Sequence, residues 1–145
     1  MTALRRLVRL NRVEIALLAA ALVVLARVRV ALWLLPWQRV MTTSPAPRPQ
    51  SRPRCSVGRL EWAIRSASRA VPHATCLTQA LALDHLLRRE GYAGTVQIGV
   101  KNDDGGFAAH AWVECQGAPL LSSVSEVSRY SRFFTWPRPH TEPVP

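Results

Sequence analysis

The period of the hydrophobic repeat changes once along this chain, at Gly94, and that change constrains the fold most. Before it, apolar residues recur every three or four positions over residues 57–71, which is typical of an amphipathic helix. A second helix follows, with Thr75 in position to cap its start and Gly91 just after its last turn. After Gly94 the repeat shortens to two, the period of a β-strand.

The second half of the chain therefore predicts strands. In residues 95–100, apolar residues alternate with polar or small ones, and the same alternation returns in residues 107–115. Residues 101–106 between them have the composition of a hairpin loop. A turn at Gln116-Gly117 then predicts a third strand over residues 118–124. On the returning strand, one face carries Phe107, Ala109, Ala111, Val113 and Cys115, and the other carries His110, Trp112 and Glu114. Helices followed by an antiparallel β-meander predict an α+β domain.

The positive charge is concentrated in the N-terminal third. The whole chain has 145 residues and a formal net charge of +10. Ten arginines and a single glutamate in residues 1–54 contribute 10 − 1 = +9, and residues 55–145 contribute the remaining +1. A nucleic-acid-binding domain usually carries its basic patch on the folded module itself, so we expect no nucleic-acid partner. The length suits one modest domain with extensions.

The N-terminal third also contains an apolar stretch interrupted by charge. Twelve apolar residues from Ile15 to Ala26 precede Arg27 and Arg29, and a second apolar run reaches Leu35. Twelve residues are fewer than the ~20 that span a bilayer, and no small-x-small cleavage site follows them. We favour a buried or surface-lying amphipathic helix that ends before Pro36. Contact with a membrane surface and a true span are the open alternatives.

Changes in composition predict four regions. Residues 1–41 form a basic and apolar helical extension, and residues 42–54 form a linker rich in proline and arginine. Residues 55–136 form the folded domain, and residues 137–145 form a flexible proline-rich tail. The odd number of three cysteines favours a reducing, cytoplasmic location, and the lack of a Cys-x-x-Cys pair argues against a structural metal site. Residues 1–41 are the region that could touch a membrane surface. We expect no cofactor.

Cys76 and His110 are the residues most suited to catalysis. Cys76 lies in the first turn of the second predicted helix, where the backbone amides stabilise a thiolate. His110 lies on the following strand pair, from which its imidazole could act as general base. Each residue alone is also compatible with a structural role, as a small buried thiol and a hydrogen-bonded histidine. Together they favour a cysteine nucleophile with a histidine base.

The remaining histidines and cysteines are weaker candidates. His85 lies nine residues along the helix from Cys76, roughly 13 Å away at ~1.5 Å per residue, which is too far for a base. His73 belongs to a proline-bounded turn. Cys115 lies on the apolar face of its strand, and Cys55 borders the linker.

A family resemblance adds to this interpretation. The blocks Cys76-Leu77-Thr78-Gln79-Ala80-Leu81 and Ala109-His110-Ala111-Trp112-Val113-Glu114 resemble those of the lasso-peptide leader peptidases. These are stand-alone B-type maturation proteases with a transglutaminase-like, papain-related fold. The resemblance covers roughly residues 13–134, and the two quoted blocks are its most specific part.

The resemblance implies a cysteine peptidase that removes the leader from a ribosomally made precursor. The implied partners are the precursor, a small leader-recognition protein and an asparagine-synthetase-like cyclase. Cys76 would be the nucleophile, His110 the base, and Ser122 would occupy the position where the family has an aspartate that orients the histidine. Glu126 could replace it only if the third strand ends early, and Glu114 would lie about 13 Å from His110 along the strand.

Two hypotheses from other classes stay open. The missing aspartate is compatible with a non-catalytic transglutaminase-like module that binds a peptide or scaffolds the maturation complex. The basic N-terminal helix is compatible with a small membrane-associated protein.

Overall fold

The computed structural model describes residues 11–42, 53–103 and 105–136. Four helices come first, then two long strands, and finally a short strand, a one-turn helix and a last strand. In chain order these elements are α1 (Arg12–Leu34), α2 (Trp37–Thr42), α3 (Val57–Ser68), α4 (Cys76–Arg89), β1 (Gly94–Asp103), β2 (Gly106–Cys115), β3 (Ala118–Leu120), α5 (Val124–Val127) and β4 (Ser131–Trp136). The α+β prediction is confirmed.

Local signals in the sequence set the ends of the helices. The Thr75 side chain accepts a hydrogen bond from the Thr78 N–H at the start of α4. After α4, Gly91 has a φ of 86°, a conformation in which a residue with a Cβ would be strained. The first helix ends at Leu34, shortly before Pro36, as predicted.

The four strands form one antiparallel sheet in the order β3-β2-β1-β4. Strands β1 and β2 pair without a slip from Gly94 opposite Cys115 to Asp103 opposite Gly106. The prediction that the third strand reaches residue 124 is wrong, because the strand ends at Leu120. Strand β4 pairs with the far side of β1 and was not predicted from the alternation of residues.

Helices α1, α3 and α4 pack together and share one core with the sheet. From α1, Leu17, Ala21, Val24 and Leu25 are buried in the same cluster as the strand residues that include Val113. The helix therefore packs on the core along one face, which agrees with the favoured expectation of a buried or surface-lying helix. The proposed division into extension, linker, domain and tail stays a prediction, and most of the linker and the whole tail lie outside the described residues.

A buried ion pair joins α4 to the start of β1. Arg88 donates to Asp84 at 2.7 Å within the helix, and Arg88 also donates to the backbone carbonyl of Gly94 at 3.3 Å. The C-terminal end of α4 therefore lies beside the start of β1.

The segment of residues 121–130 crosses the sheet from one edge to the other. It leaves β3 at one edge and enters β4 at the opposite edge, and on its way it contacts residues of β1 and β2. Tyr130 makes a tilted contact with the ring of His110 on β2, and it also lies against Gly99 on β1. This crossing positions the candidate site described next.

Candidate active site

Cys76 is the first residue of α4, directly after the Thr75 cap. The thiol is partly buried and packs against the edge of the core. The backbone amides of the first helical turn have no partner within the helix, and the positive end of the helix dipole lies at this position. The helix start at Cys76 agrees with the sequence prediction, and its role as nucleophile stays a prediction.

Two aromatic rings hold the imidazole of His110 on β2. Trp112 stacks against it with ring centroids 6.1 Å apart, and Tyr130 lies at 5.4 Å with an interplanar angle of 36°. Gly99 lies opposite His110 on β1. A Cβ there would lie 2.7 Å from Cβ of Tyr130 and 2.9 Å from the Trp112 ring, so only glycine lets both aromatic side chains approach the sheet.

The structure brings Ser122 to His110. The distance from Ser122 Oγ to His110 Nε2 is 2.6 Å, and Ser122 is only 8% exposed. The residue that the resemblance implies as the orienting group therefore lies within hydrogen-bond distance of the ring, and its orienting role stays a prediction. A hydroxyl can accept the imidazole N–H, but it carries no negative charge.

A left-handed turn at Leu121 directs Ser122 to the ring. Leu121 has a φ of 67°, which ends β3, and its N–H donates to Oε1 of Glu61 at 2.8 Å. The same carboxylate oxygen accepts two hydrogen bonds from Arg65, one turn along α3. Sequence reasoning missed Glu61, because 60 residues separate it from Leu121 and its spacing from Arg65 is that of an ordinary surface ion pair.

Glu126 is a second neighbour of the imidazole. Its Oε1 lies 3.9 Å from His110 Nε2, beyond hydrogen-bond distance, and its side chain is 49% exposed. From the sequence, Glu126 could approach His110 only if the third strand ended early. The strand does end early, at Leu120, and α5 follows it. Ser123 caps α5 by accepting the Glu126 N–H, so its side chain is engaged away from the ring.

Glu114 has a different set of partners. Its carboxylate accepts hydrogen bonds from Trp112 Nε1 at 3.3 Å, from Arg132 at 2.7 Å and from Gln97 at 3.3 Å. Glu114 therefore anchors the Trp112 ring that stacks on His110 and does not itself contact the imidazole.

The two polar contacts of His110 use the same ring nitrogen. Ser122 and Glu126 both approach Nε2, which leaves Nδ1 as the nitrogen for a thiol. Within the described part of the chain, no hydrogen bond joins Cys76 to His110. The hydrogen bonds of a catalytic site often form only when substrate binds, and the pairing of Cys76 with His110 stays a prediction.

The other thiols differ from Cys76 in their surroundings. Burial is the main cause that raises the pKa of the Cys115 thiol, and the charge of Asp84 raises it further. The thiol is therefore protonated and unreactive near neutral pH. Cys55 is buried as well. Among the described residues, no three histidine, cysteine or acidic side chains are grouped as metal ligands.

His85 lies far from this site, beside a cavity between α1, α2 and α4. Burial is the main cause that lowers the pKa of His85, and the charges of Arg89 and Arg27 lower it further. His73 has a left-handed φ of 57° in the turn before α4. Neither residue contributes to the contacts around His110 described above.

The sequence profile of the Transglutaminase-like superfamily matches residues 22–135, which runs from the middle of α1 to the end of β4. The chain belongs to this superfamily. Searches of the curated proteins and of the solved structures found no match. The matched region contains Cys76, His110 and Ser122 and includes both the helical layer and the sheet, so the transglutaminase-like part of the resemblance is confirmed.

Proposed function

We propose that this protein is a cysteine peptidase of the transglutaminase-like superfamily that removes the leader from a lasso-peptide precursor. The observation that carries the proposal is the 2.6 Å contact between Ser122 Oγ and His110 Nε2, in a domain whose helix α4 begins with Cys76. A serine hydroxyl that accepts the Nε2 proton selects the tautomer in which Nδ1 can take a proton from a thiol. The Cys76 and His110 blocks support the narrower leader-peptidase assignment through their resemblance to that family.

The proposed reaction follows the usual course for a cysteine nucleophile. His110 takes the thiol proton, and the Cys76 thiolate attacks the carbonyl carbon of the scissile peptide bond. The C–N bond then breaks, His110 returns the proton to the departing amine, and a thioester joins the leader to Cys76. Water activated by His110 hydrolyses the thioester, which releases the leader carboxylate and regenerates the thiol.

Three partners complete the proposal. The precursor is the substrate, a small recognition protein presents its leader, and an asparagine-synthetase-like cyclase closes the ring of the released core peptide. Correct presentation of a flexible peptide can change a rate by orders of magnitude. We therefore expect weak or no cleavage of the precursor alone and rapid cleavage when the recognition protein is added. Full-rate cleavage without any partner would contradict this part of the proposal.

A mass-spectrometric assay tests the chemistry. The precursor is incubated, in the presence of the recognition protein, with the wild type, with Cys76→Ala, and with Cys115→Ala and Cys55→Ala as controls. We expect Cys76→Ala to abolish cleavage and both controls to retain most of it. Equal cleavage by the wild type and Cys76→Ala would end the cysteine-peptidase interpretation.

A non-catalytic peptide-binding or scaffolding module is the second candidate. Two observations favour it: the neutral Ser122 beside the histidine, and the lack of a hydrogen bond between Cys76 and His110 within the described residues. Such a module should bind the precursor equally well as wild type and as Cys76→Ala, without cleavage by either. The same assay, combined with a binding measurement, separates the two functions.

A further inference from the structure

Helix α1 has two apolar faces, and only one of them is buried. The inner face packs against α3 and α4 through residues such as Leu17, Val24 and Leu25. The outer face carries large apolar side chains that are 37–78% exposed: Ile15, Leu22, Val23, Val30, Trp33 and Leu34. We refer to these six residues as the outer stripe. At ~100° per residue they occupy an arc of roughly 120° on the side opposite Leu17 and Val24.

The outer stripe is long and continuous. It extends over ~28 Å of helix from Ile15 to Leu34 at ~1.5 Å per residue, and the positions between its members on the same face include the exposed Ala19 and Ala26. Helix α1 is long and apolar enough to cross a membrane, but the core helix of a soluble protein or a signal sequence can have the same length and composition. An exposed apolar surface of this length indicates an interaction site.

Arginines border the outer stripe on both sides. On the helical projection Arg27 follows the edge next to Leu34, and Arg29 follows the edge next to Leu22. Glu14, the acidic residue of α1, lies toward the packed side, where it is 3.8 Å from Arg59. The outer face therefore combines an apolar centre with positive edges, in a part of the sequence that carries most of the chain's net charge.

We propose that the outer stripe of α1 lies on the surface of an anionic lipid bilayer, with the helix axis parallel to the membrane plane. The inner face of α1 is buried against α3 and α4, so lipid can reach only the outer face, and the helix cannot span the bilayer in this fold. Arg27 and Arg29 can reach lipid phosphates while the apolar side chains enter the acyl boundary. Trp33, at 78% exposure, suits the interfacial depth at which tryptophan is enriched.

A lipid surface fits this face better than a protein partner. The stripe is the convex outer side of a single helix, and its only side-chain hydrogen-bonding group is the indole N–H of Trp33. A protein interface generally needs complementary shape and a polar rim to fix one orientation. A fluid bilayer needs neither, and its anionic headgroups complement the flanking arginines. The proposal does not depend on the peptidase function.

Vesicle sedimentation tests the proposal with the full-length protein. The probes are vesicles of phosphatidylcholine with phosphatidylglycerol and vesicles of phosphatidylcholine alone. We expect binding to the anionic vesicles, release by a high-salt wash, and a partition coefficient at least about tenfold lower for Val30→Glu and for Trp33→Glu. The double variant Arg27→Gln with Arg29→Gln should lose the preference for anionic lipid.

Phe133→Glu is the matched control, because Phe133 on β4 is 73% exposed and lies on another element. It should bind vesicles like the wild type. Since Val30, Trp33, Arg27 and Phe133 are exposed and Arg29 is only partly buried, the thermal unfolding midpoint without vesicles should stay nearly unchanged, which separates lost binding from misfolding.

Four outcomes would overturn the proposal. The first is that the wild type does not bind anionic vesicles, and the second is that the stripe variants bind as well as the wild type. The third is that the protein stays on the vesicles through the high-salt wash and is released only by detergent. The fourth is self-association of the wild type that Val30→Glu abolishes without vesicle binding, which would assign the stripe to a second copy of the chain. Leader cleavage in a vesicle-free assay should be the same for the wild type and the stripe variants, so failure of one proposal does not resemble failure of the other.

Discussion

At the residue scale, Ser122 offers His110 a hydroxyl in place of a carboxylate. A hydroxyl at 2.6 Å can orient the imidazole through Nε2. It cannot stabilise the imidazolium that forms when the ring takes a proton, because that requires a nearby negative charge. Glu126 supplies such a charge only at 3.9 Å, from a side chain that is 49% exposed, so solvent screens its effect. We therefore expect Ser122 to orient His110 without the charge stabilisation that a carboxylate would provide.

The substitution Ser122→Asp tests this interpretation. We expect it to raise the cleavage rate and to speed labelling of Cys76 by a thiol-reactive probe near neutral pH, because a stabilised imidazolium favours the thiolate. In the best-studied serine triad the orienting carboxylate contributes a factor of about 10⁴ in rate. We expect a smaller gain here, since the aspartate must fit a buried site shaped for serine.

The control is Ser123→Asp. Ser123 caps α5, and aspartate is an equally good cap, so this variant adds the same charge one residue away without disturbing the helix. Its rate should stay near that of the wild type. An increase with Ser123→Asp as large as that with Ser122→Asp would indicate a general electrostatic effect and not orientation of the ring.

At the element scale, the link between α3 and the turn after β3 determines where Ser122 lies. A left-handed Leu121 costs roughly 1–2 kcal/mol relative to an ordinary conformation. The hydrogen bond from its N–H to Glu61 helps to offset that cost. Glu61 is therefore a positioning residue that acts on His110 through Ser122, although it touches neither His110 nor Cys76 in the contacts described.

We expect Glu61→Ala to lower kcat about tenfold with little change in KM, because a hydrogen bond to a charged group contributes about 1.5–3 kcal/mol. Glu61→Gln keeps an acceptor oxygen and should restore part of the rate. Arg65→Ala is the control, since it removes the ion pair on α3 and leaves the Leu121 contact in place. If Arg65→Ala reduces kcat as much as Glu61→Ala, the effect comes from α3 as a whole and not from positioning.

Helix α4 contains a group that makes stability depend on pH. Burial and the charges of Arg89 and Arg27 hold the pKa of His85 below its ordinary value near 6.5. The unfolded chain therefore takes up a proton at His85 before the folded chain does, so the contribution of His85 to stability is complete above about pH 6.5 and is lost as the pH falls toward the folded pKa.

Denaturant unfolding at several pH values measures this contribution. Relative to His85→Gln, the wild type should lose stability between pH 7 and pH 5, and the two proteins should have parallel pH profiles above pH 7. A wild type that gains stability relative to His85→Gln on acidification would show that a carboxylate, and not Arg27 and Arg89, dominates the surroundings of His85.

At the scale of the whole molecule, α1 is part of the core that supports the site. Its inner residues share one buried cluster with α3, α4 and the sheet, and the superfamily match begins within this helix, at residue 22. We expect Leu25→Ala, at a position with no exposed surface, to lower the free energy of unfolding by about 2–5 kcal/mol.

Leu22 offers a matched comparison on the same helix, since it is 37% exposed. Leu22→Ala makes the same chemical change and should cost less than about 1 kcal/mol. Equal losses for the two variants in denaturant unfolding would mean that α1 does not pack as described.

Local chemistry determined much of this structure from the sequence alone. The change of hydrophobic period predicted helices and then strands, and Thr75, Gly91 and Pro36 predicted helix ends, because caps and glycine act within one turn of the backbone. The same local reasoning placed Cys76 at a helix start. The period of the strands suggested His110 as its base, and the resemblance pointed to Ser122.

Only the tertiary structure decided which distant residues meet. The turn at Leu121 ends β3 early because Glu61, 60 residues earlier in the chain, accepts its N–H. Strand β4 pairs with β1, and not with its neighbour in sequence, because the crossing segment carries it to the far edge of the sheet. The apolar residues of α1 form two runs in the sequence, separated by Arg27 and Arg29, and only packing against α3 and α4 divides them into a buried face and an exposed one. Periodicity and capping act within a few residues, whereas these contacts depend on which surfaces become neighbours when the whole chain folds.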